Sequence, residues 1–368
     1  MNFDLATSDD FRALVLNQTP LIDVRAPVEF VKGAIPHAVN LPLMQDEERR
    51  LVGLCYKEQG QQKAIQLGHE LVNESVRAPR IQAWCEFKRQ HPQALIYCFR
   101  GGLRSKISQQ WITQAGLEIT RIQGGYKAFR QYLMQSLDEM ADKLVSGQRK
   151  PWVLAGRTGS GKTQVLNSVD FAVDLEGLAQ HRGSTFGRHA WAQPSQIDFE
   201  NQLAYRMIQL DAQAQPNWLF EDEARNIGSV HLTPTLFDAI KSGGRILLET
   251  PFELRRQNIL TEYVIEAQAE YGDLAAWVDY MQSRFERIAK RLGGVGYAKV
   301  RQAFDQAWLW QERTCDPVKH LDWIDQLLTD YYDPMYDYQL KCYPRPFVMQ
   351  GHATEVKAYL QNLASNSH

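Results

Sequence analysis

Short apolar runs alternate with helix-like stretches in the amino-terminal third of the chain. The runs PLIDV (20–24) and ALIYC (94–98) predict buried strands, and residues 57–72 between them have the periodicity of a helix. After the second run, apolar residues recur at helical spacing at Ile107, Trp111 and Ala115. Residues 118–126 (EITRIQGGY) predict a third strand and a turn before the next helix. Alternating strands and helices indicate a parallel sheet.

A second series of apolar runs follows the polar segment SGQRKP. The runs at 152–155, 217–220 and 245–249 predict the strands of a second α/β unit. Beyond it the pattern is mainly helical, with amphipathic stretches at 255–272 and 275–294. We therefore predict an α/β domain at 1–135, a linker at 136–150, a second α/β domain at 151–255 and a mostly helical region at 256–368 that packs on the second domain.

Composition narrows the class of protein. Hydrophobic residues make up 44% of the 368 positions and charged residues 23%, which is typical of globular proteins. The net charge of −2 excludes a strongly basic protein, so any nucleic-acid surface must be a local patch. Five cysteines without a C-x-x-C pair argue against a disulfide framework or a structural zinc site. No signal-peptide pattern and no run of 18 apolar residues occurs, so we expect a cytoplasmic protein without a membrane span.

The segment GRTGSGKT matches the phosphate-binding P-loop pattern at every defined position, with a predicted strand before it and a helix-compatible stretch after it. Glycines allow backbone N–H groups to surround phosphate oxygens, and the following helix N-terminus favours negative charge. Lys162 supplies a positive charge, and the Thr163 hydroxyl is a candidate Mg²⁺ ligand. The predicted phosphate-binding residues are Gly156, Arg157, Thr158, Gly159, Ser160, Gly161, Lys162 and Thr163.

Polar residues elsewhere in the second unit are candidates for positions around this loop. Some follow the predicted strand 217–220, and others lie in the polar stretch DLEGLAQHRGSTFG. Surface charges and a solvated loop explain the same residues equally well. The candidates are Asp174, Glu176, His181, Arg182, Glu221 and Asp222.

The segment YCFRGGLRS places Cys98 between a predicted strand and a predicted helix. Backbone N–H groups at such a junction, together with Arg100 and Arg104, would favour a nucleophilic thiolate. We therefore predict Cys98, Arg100 and Arg104 as catalytic residues. The alternative is a buried, inert cysteine, which leaves the glycine pair and both arginines unexplained.

The amino-terminal domain resembles the rhodanese family. Two sequence elements carry the resemblance, and they are Asp-Val-Arg-x-x-x-Glu-Phe at 23–30 and Gly-x-Ile-Pro-x-Ala-x-Asn at 33–40. The resemblance implies a cysteine, here Cys98, that carries a chalcogen. Five residues separate Cys98 from Arg104, whereas ordinary rhodaneses have four. The longer loop, which is the spacing of related phosphatases, puts plain thiosulfate sulfurtransfer in doubt and suits a larger group such as phosphate or selenium.

Read over residues 4–360, the chain is similar to the bacterial tRNA 2-selenouridine synthase family. Stretches such as DLEGLAQHRGSTFG, FEDEARNIG and DYYDPMYDYQL carry this resemblance. It implies an α/β fold in which a rhodanese-like parallel-sheet domain precedes a P-loop NTPase-like α/β domain with a helical C-terminal region. The implied transferase geranylates the wobble 2-thiouridine of tRNA with geranyl diphosphate, and selenophosphate then displaces the sulfur. A selenophosphate-producing enzyme is an implied partner.

Substrate contacts are less specific in the sequence. Four basic residues on a predicted helix are candidate tRNA contacts or a solvated charged face, and they are Arg284, Arg287, Lys290 and Arg291. Four aromatic residues are candidates for an apolar pocket or for hydrophobic core, and they are Trp191, Phe199, Tyr205 and Trp218. Two other functions fit the motifs. One is a P-loop small-molecule kinase fused to a sulfurtransferase, and the other is a regulatory protein that senses redox state through Cys98.

Overall fold

The computed structural model describes residues 5–213, 215–342 and 345–365. The chain divides into two compact units. The first comprises the residues up to Glu139 together with Ser195–Gln213, and the second comprises Met140–Pro194 together with the residues after Gln213. No helix among the described residues combines the length and the apolar character needed to cross a membrane.

The first unit contains a five-stranded sheet in which all the strands that pair are parallel. Its strands are β1 (Thr7–Ser8), β2 (Leu21–Asp23), β3 (Ala38–Asn40), β4 (Leu95–Tyr97) and β5 (Thr120–Ile122). Their order across the sheet is β1-β5-β4-β2-β3. Every residue of β2 and β4 is buried, which explains why both strands appear in the sequence as unbroken apolar runs.

Seven helices connect or follow these strands, and they are α1 (Phe11–Leu16), α2 (Pro27–Val31), α3 (Asp46–Gln59), α4 (Gln61–Leu71), α5 (Glu74–Gln90), α6 (Leu103–Gln114) and α7 (Gly125–Val145). The single helix predicted at 57–72 is wrong. Gly60 has φ +82° and ends α3 before α4 begins. Glycine adopts this backbone conformation without steric cost, so it can separate two helices of similar periodicity.

The second unit contains another five-stranded parallel sheet and a short antiparallel hairpin. Its strands are β6 (Lys150–Ala155), β7 (Ala172–Val173), β8 (Asn217–Glu221), β9 (Asn226–Ile227), β10 (Val230–His231), β11 (Gly244–Leu248) and β12 (Phe347–Gly351). The order of the parallel sheet is β12-β11-β6-β8-β7, and β9 pairs with β10. The predicted α/β fold class is confirmed in both units.

The remaining α-helices are α8 (Lys162–Leu166), α9 (Leu175–Ala179), α10 (Gln196–Ala212), α11 (Pro234–Lys241), α12 (Phe252–Ile259), α13 (Ala267–Tyr271), α14 (Leu274–Thr314), α15 (Leu321–Leu327), α16 (Asp333–Cys342) and α17 (Ala353–Ser365). Leu260–Glu266 and Leu328–Tyr332 are π-helical, and Pro317–His320 form a 3₁₀ turn. The helical character predicted after residue 256 is confirmed. Gly293, with φ +72° and ψ +162°, interrupts α14 where the sequence predicted a helix end.

Three features differ from the predicted domain organisation. Residues 136–145 continue α7, so a linker over 136–150 is wrong because the apolar periodicity of that helix extends through the segment. Helix α10 belongs to the first unit although it follows the phosphate loop in sequence. Strand β12 pairs with β11, so the second sheet takes an edge strand from the region expected to be mostly helical. Such long-range pairings leave little local signal.

A buried histidine lies in the helical core of the second unit. His320 is 0% exposed, and its Nδ1 accepts a hydrogen bond from the Trp323 indole at 2.8 Å. Its Nε2 lies 2.8 Å from Gln311 Oε1, so the neutral ring satisfies both partners. Burial lowers the pKa of His320 to about 4.

We predict that this histidine destabilises the protein in acid. The unfolded chain binds the proton near pH 6.5, while the folded chain resists it until about pH 4. The contribution of His320 to the free energy of unfolding is therefore fully present above pH 6.5, and about 3 kcal/mol of it is lost as the pH drops to 4. Thermal unfolding of the unaltered protein and of His320→Gln between pH 4 and 8 measures the effect. Identical pH profiles for the two proteins would contradict it.

Candidate active sites

The backbone around Cys98 is held by a pair of glycines from another loop. Tyr126 N donates to Cys98 O at 2.9 Å, which ties the start of α7 to the cysteine loop. Gly101 has φ +61°, and a Cβ there would lie 2.8 Å from Gly124 N. A Cβ on Gly125 would overlap the carbonyl of Cys98. Glycines are therefore required on both sides of this contact because the two backbones touch.

The Cys98 thiol lies at the beginning of α6. Its side chain is only 3% exposed, and Sγ is 3.1 Å from Ser105 Oγ and 3.9 Å from Gly102 O. A serine hydroxyl can donate a hydrogen bond to a thiolate, so Ser105 is a functional candidate that the sequence patterns did not single out. Its only sequence signal is its place in the first turn of the helix that follows the cysteine loop.

The two predicted arginines lie in different environments. Arg104 Nη1 is 2.6 Å from Glu29 Oε2, and Arg49 Nε is 2.8 Å from the same oxygen. Burial alone would raise the pKa of Glu29, but the hydrogen bond and charge of Arg104, with the charge of Arg49, lower it overall. Arg100 is exposed, with its guanidinium 5.9 Å from the Phe99 ring centre. The charge of Arg104 is thus compensated by Glu29, which the sequence alone did not reveal.

A buried ion pair stabilises the loop after β2. Arg25 Nη2 lies 2.6 Å from Asp23 Oδ2 and donates to Gly33 O at 2.8 Å. The guanidinium stacks 3.8 Å from the Tyr126 ring centre, and the Asn40 side chain donates to the carbonyls of both members of the pair. These motif residues build the scaffold beside the cysteine loop, because the pair is fully occupied by internal partners.

In the second unit, the phosphate loop connects β6 to α8. Gly159 and Gly161 have φ +77° and +79°, and a Cβ on Gly159 would lie 2.7 Å from Arg255 O. Lys162 Nζ is 3.4 Å from Gly156 O, and Thr163 is exposed. The loop therefore presents its lysine and threonine at the carboxyl edge of the sheet, where ligands of parallel sheets bind.

A cavity of about 770 Å³ opens over this loop. Besides the loop, both polar residues and aromatic or apolar residues from several elements line it. The aromatic and apolar lining residues include Phe237, Tyr263, Tyr331, Tyr332, Met335, Tyr336 and Leu340. A cavity lined by a phosphate-loop motif and by aromatic rings suits an amphipathic phosphate ester.

Of the two alternatives for the four aromatic residues, the structure supports hydrophobic core for three. Trp218 is fully buried in β8, and Phe199 and Tyr205 lie buried in α10 of the first unit, so these three are core. Trp191 is 49% exposed. The aromatic wall of the cavity instead comes from residues 331–340, whose apolar positions recur at helical spacing within DYYDPMYDYQL. That amphipathic pattern was the available signal.

Salt bridges connect the phosphate loop to this aromatic helix. Arg255 is 4% exposed, and its two terminal nitrogens lie 3.0 and 2.6 Å from the Asp333 carboxylate. Its Nε donates to Thr158 O at 2.9 Å. Arg157, predicted to contact phosphate, has nitrogens 2.5 Å from Asp337 and 3.2 Å from Asp333. Both arginines thus fix the loop to α16, and the Arg157 guanidinium is engaged there.

The candidates around the loop fall into two groups. Glu176, Arg182 and Asp222 line the cavity, but Arg182 pairs with Glu270, and Asp222 pairs with Lys241 and Arg245. The other three are not among the residues that line the cavity. The Asp174 side chain caps α9 by accepting a hydrogen bond from Gly177 N, and Glu221 accepts one from Glu176 N at 2.8 Å. The buried Nδ1 of His181 has no partner among the described residues. Burial, with the charge of His189, lowers the pKa of His181 to about 4.

A cluster of carboxyl groups lies near Lys162. Burial, together with the charges of Glu221 and Glu223, raises the pKa of Glu176. Burial and the charge of Asp174 likewise raise the pKa of Glu221, whose Oε1 is buried without a partner among the described residues. A raised pKa favours the uncharged form of each carboxyl group, which opposes a bound phosphate less than a carboxylate does.

The four basic residues predicted on one helix face lie in different environments. Arg284 is only 9% exposed and lies 4.8 Å from the Tyr280 ring centre. Arg287 and Lys290 are exposed, whereas Arg291 lines the cavity with Nη1 3.3 Å from Tyr331 Oη. Only part of this face is therefore available to a large polyanion.

Among the described residues, no group of three or more histidine, cysteine or acidic side chains is arranged to hold a metal ion. Asp222, one of the acids that follow the strand at 217–220, is paired with Lys241 and Arg245. Thr163, the predicted Mg²⁺ ligand, is an exposed residue in the first turn of α8.

We predict that Glu221→Gln stabilises the protein at neutral and alkaline pH. The folded pKa of Glu221 is raised above the ordinary 4.5, so the unfolded chain ionises first and stability is lost as the pH rises. Glutamine keeps the acceptor for Glu176 N without a charge, and we expect a gain on the order of 1–3 kcal/mol at pH 8 and little at pH 4. Denaturant unfolding at both pH values measures this, and an equal gain at both would contradict it.

Comparison with known proteins covers nearly all of the chain. Residues 7–132 match the rhodanese-like domain model, and residues 149–367 match the model of the tRNA 2-selenouridine synthase AAA domain. The tRNA 2-selenouridine synthase of Hydrogenovibrio crunogenus is 51% identical over 96% of this chain and 98% of its own length. Those of Sulfurovum sp. and Shewanella denitrificans are 48% and 46% identical over 97% and 99% of this chain, and over 99% and 100% of their own lengths. The chain therefore belongs to the tRNA 2-selenouridine synthase family.

Proposed function

We propose that this protein is a tRNA-modifying transferase that replaces sulfur by selenium at C2 of a wobble 2-thiouridine. The names of its relatives support the transferase activity on tRNA. The observation that carries the two-step route is the cavity that combines the phosphate loop with an aromatic wall. Geranyl diphosphate has the matching chemistry, with an anionic head and a ten-carbon apolar chain.

In the first step, the thiocarbonyl sulfur attacks C1 of geranyl diphosphate. The new S–C bond forms as the C–O bond breaks, diphosphate leaves with the electron pair, and the N3 proton of the base is released to solvent. Lys162 and the loop N–H groups stabilise the charge on the departing oxygens. The aromatic wall holds the chain and excludes water, which would otherwise intercept the allylic carbon.

In the second step, the selenium of selenophosphate attacks C2 of the S-geranylated base. The C2–S bond breaks, and the sulfur leaves with the electron pair and takes a proton to become geranylthiol. Water then cleaves the Se–P bond and releases phosphate. Cys98 is proposed to capture the selenium donor, with Ser105 donating a hydrogen bond to the thiolate, and a selenophosphate-producing enzyme would supply the donor.

Magnesium is proposed as a companion of the diphosphate. The Thr163 hydroxyl would hold the ion together with diphosphate oxygens, because the described carboxylates do not form a metal site of their own. A bound Mg²⁺ supplies positive charge that neutralises the leaving group. Lys162 and the backbone amides of the loop orient the same diphosphate from the protein side.

We expect Lys162→Ala to weaken geranyl diphosphate binding and to slow S-geranylation of thiolated tRNA by at least about 100-fold, because one positive contact to the leaving group is lost. Mass spectrometry of digested tRNA measures the rate. Lys299→Ala removes an exposed lysine of the same unit and serves as the control. A normal rate in Lys162→Ala would contradict the assignment, and tRNA-independent ATP turnover without geranyl diphosphate binding would indicate a small-molecule kinase.

We expect Cys98→Ser to abolish selenium incorporation while S-geranylated tRNA accumulates. The reason is that Cys98 belongs to the cysteine loop, whereas the prenyl donor is proposed to bind the phosphate loop. Nucleoside mass spectrometry after incubation with geranyl diphosphate and selenophosphate separates the two products. Cys315→Ser changes an exposed cysteine and is the matched control. Loss of both products in Cys98→Ser would show that the two functions are not divided in this way.

A further inference from the structure

Outside the cavity, the second unit carries a surface on which cationic and aromatic side chains lie together. We call it the cationic face and define it by Arg188, His189, Trp191, Arg284 and Arg287. The first three lie on the loop between α9 and α10, and the last two lie on α14. Since the chain has a net charge of −2, this concentration of cations is local.

Tyr280 fixes the loop of the cationic face onto α14. Its hydroxyl accepts from Arg188 N at 3.1 Å and donates to Phe186 O at 3.0 Å. The Tyr280 ring stacks on Tyr271 with centres 5.3 Å apart, and Arg284 covers it at 4.8 Å. The face is therefore a built surface, held by hydrogen bonds and ring contacts.

The arginines of this face have no carboxylate to neutralise them. Neither a salt bridge nor a side-chain hydrogen bond engages Arg188, Arg284 or Arg287 within the described ranges, and Arg284 Nε is buried without a partner. Burial, together with the charges of Arg287 and Arg188, lowers the pKa of Arg284. Guanidinium groups held close together without counter-charges favour a polyanion that completes their pairing.

An aromatic platform lies beside these cations. The rings of His189 and Trp191 are stacked at 4.7 Å with an angle of 13° between their planes. His189 is held by Glu270, whose oxygens lie 2.9 and 3.0 Å from Nδ1. Trp191 is nonetheless 49% exposed, so about half of a fixed, flat indole faces solvent. An exposed indole held in this orientation offers a surface on which an unpaired nucleobase can stack.

Both elements of the cationic face lead to the cavity over the phosphate loop. Arg182 lines the cavity six residues before Arg188 on the same loop, and Arg291 lines it seven residues, or about 10 Å, beyond Arg284 on the same helix. A strand bound on this face is therefore adjacent to the place where the prenyl donor is proposed to bind.

We propose that the cationic face is the docking surface for the single-stranded RNA segment that carries the nucleotide to be modified. An unpaired base stacks on Trp191, and the neighbouring phosphates contact the exposed Arg188 and Arg287. This inference rests on the proposed function, since it takes tRNA as the substrate. The basic positions follow the sequence prediction in part, but the aromatic platform and the loop cation Arg188 come from the structure.

The stacking is tested by titrating the full-length protein with thiolated tRNA. Trp191→Ala is expected to weaken binding about 10-fold or more, because a base loses its platform, while Trp191→Phe retains most of the affinity. Trp310→Ala is the matched control, since Trp310 is 44% exposed on helix α14 but lies outside the face. Unchanged affinity in Trp191→Ala, or equal losses in Trp191→Ala and Trp310→Ala, overturns the proposal.

The phosphate contacts are tested by the salt dependence of the same binding. Arg287→Gln is expected to weaken binding and to reduce the slope of log affinity against log salt by about one, whereas Lys299→Gln leaves the slope unchanged.

Geranyl diphosphate affinity is measured in parallel and is expected to stay within about 2-fold in Trp191→Ala and Arg287→Gln, because neither residue lines the cavity. An unchanged slope in Arg287→Gln overturns the role of that arginine. No tRNA binding by the unaltered protein overturns the face and the proposed function together, whereas normal turnover with unaffected variants overturns the face alone.

Discussion

The buried Arg255 links the two parts of the candidate prenyl site. Its guanidinium joins the backbone of the phosphate loop at Thr158 to the carboxylate of Asp333, the first residue of the aromatic helix α16. A buried arginine is stable only when its donors are paired, so the loop and the helix depend on one another for this arrangement. Arg157 reinforces the link through Asp337. The phosphate loop and the aromatic helix α16 are therefore held in position relative to one another by these contacts.

The charged side chains near the phosphate loop differ in how their charge is compensated. Asp222 is neutralised by Lys241 and Arg245, and Arg182 by Glu270. Burial raises the pKa of Glu176 and of Glu221. Lys162 lies next to the phosphate loop and Arg291 lines the same cavity, while Arg188 and Arg287 lie on the cationic face. The proposed diphosphate and RNA contacts use these two separate sources of positive charge.

In the first unit, close contact between two backbone segments determines the shape of the cysteine loop. Gly101 and Gly125 allow the cysteine loop to touch the turn before α7, and the buried Asp23–Arg25 pair supports the neighbouring loop. The Cys98 thiol is placed against Ser105 at the start of α6, and Arg104 is directed to Glu29. The motif residues thus mainly shape the loop, and the sulfur itself has few polar neighbours.

Local patterns in the sequence determined the strands at 21–23, 95–97 and 217–221, the phosphate loop and the cysteine loop, because burial and backbone conformation leave signals within a few residues. The tertiary structure alone decided that Glu29 compensates Arg104, that β12 completes the second sheet and that α10 joins the first unit. It also decided that residues 331–340, and not Trp218 or Phe199, form the aromatic wall. Pairings between residues tens to hundreds of positions apart depend on the geometry of the packed chain, and no local periodicity encodes them.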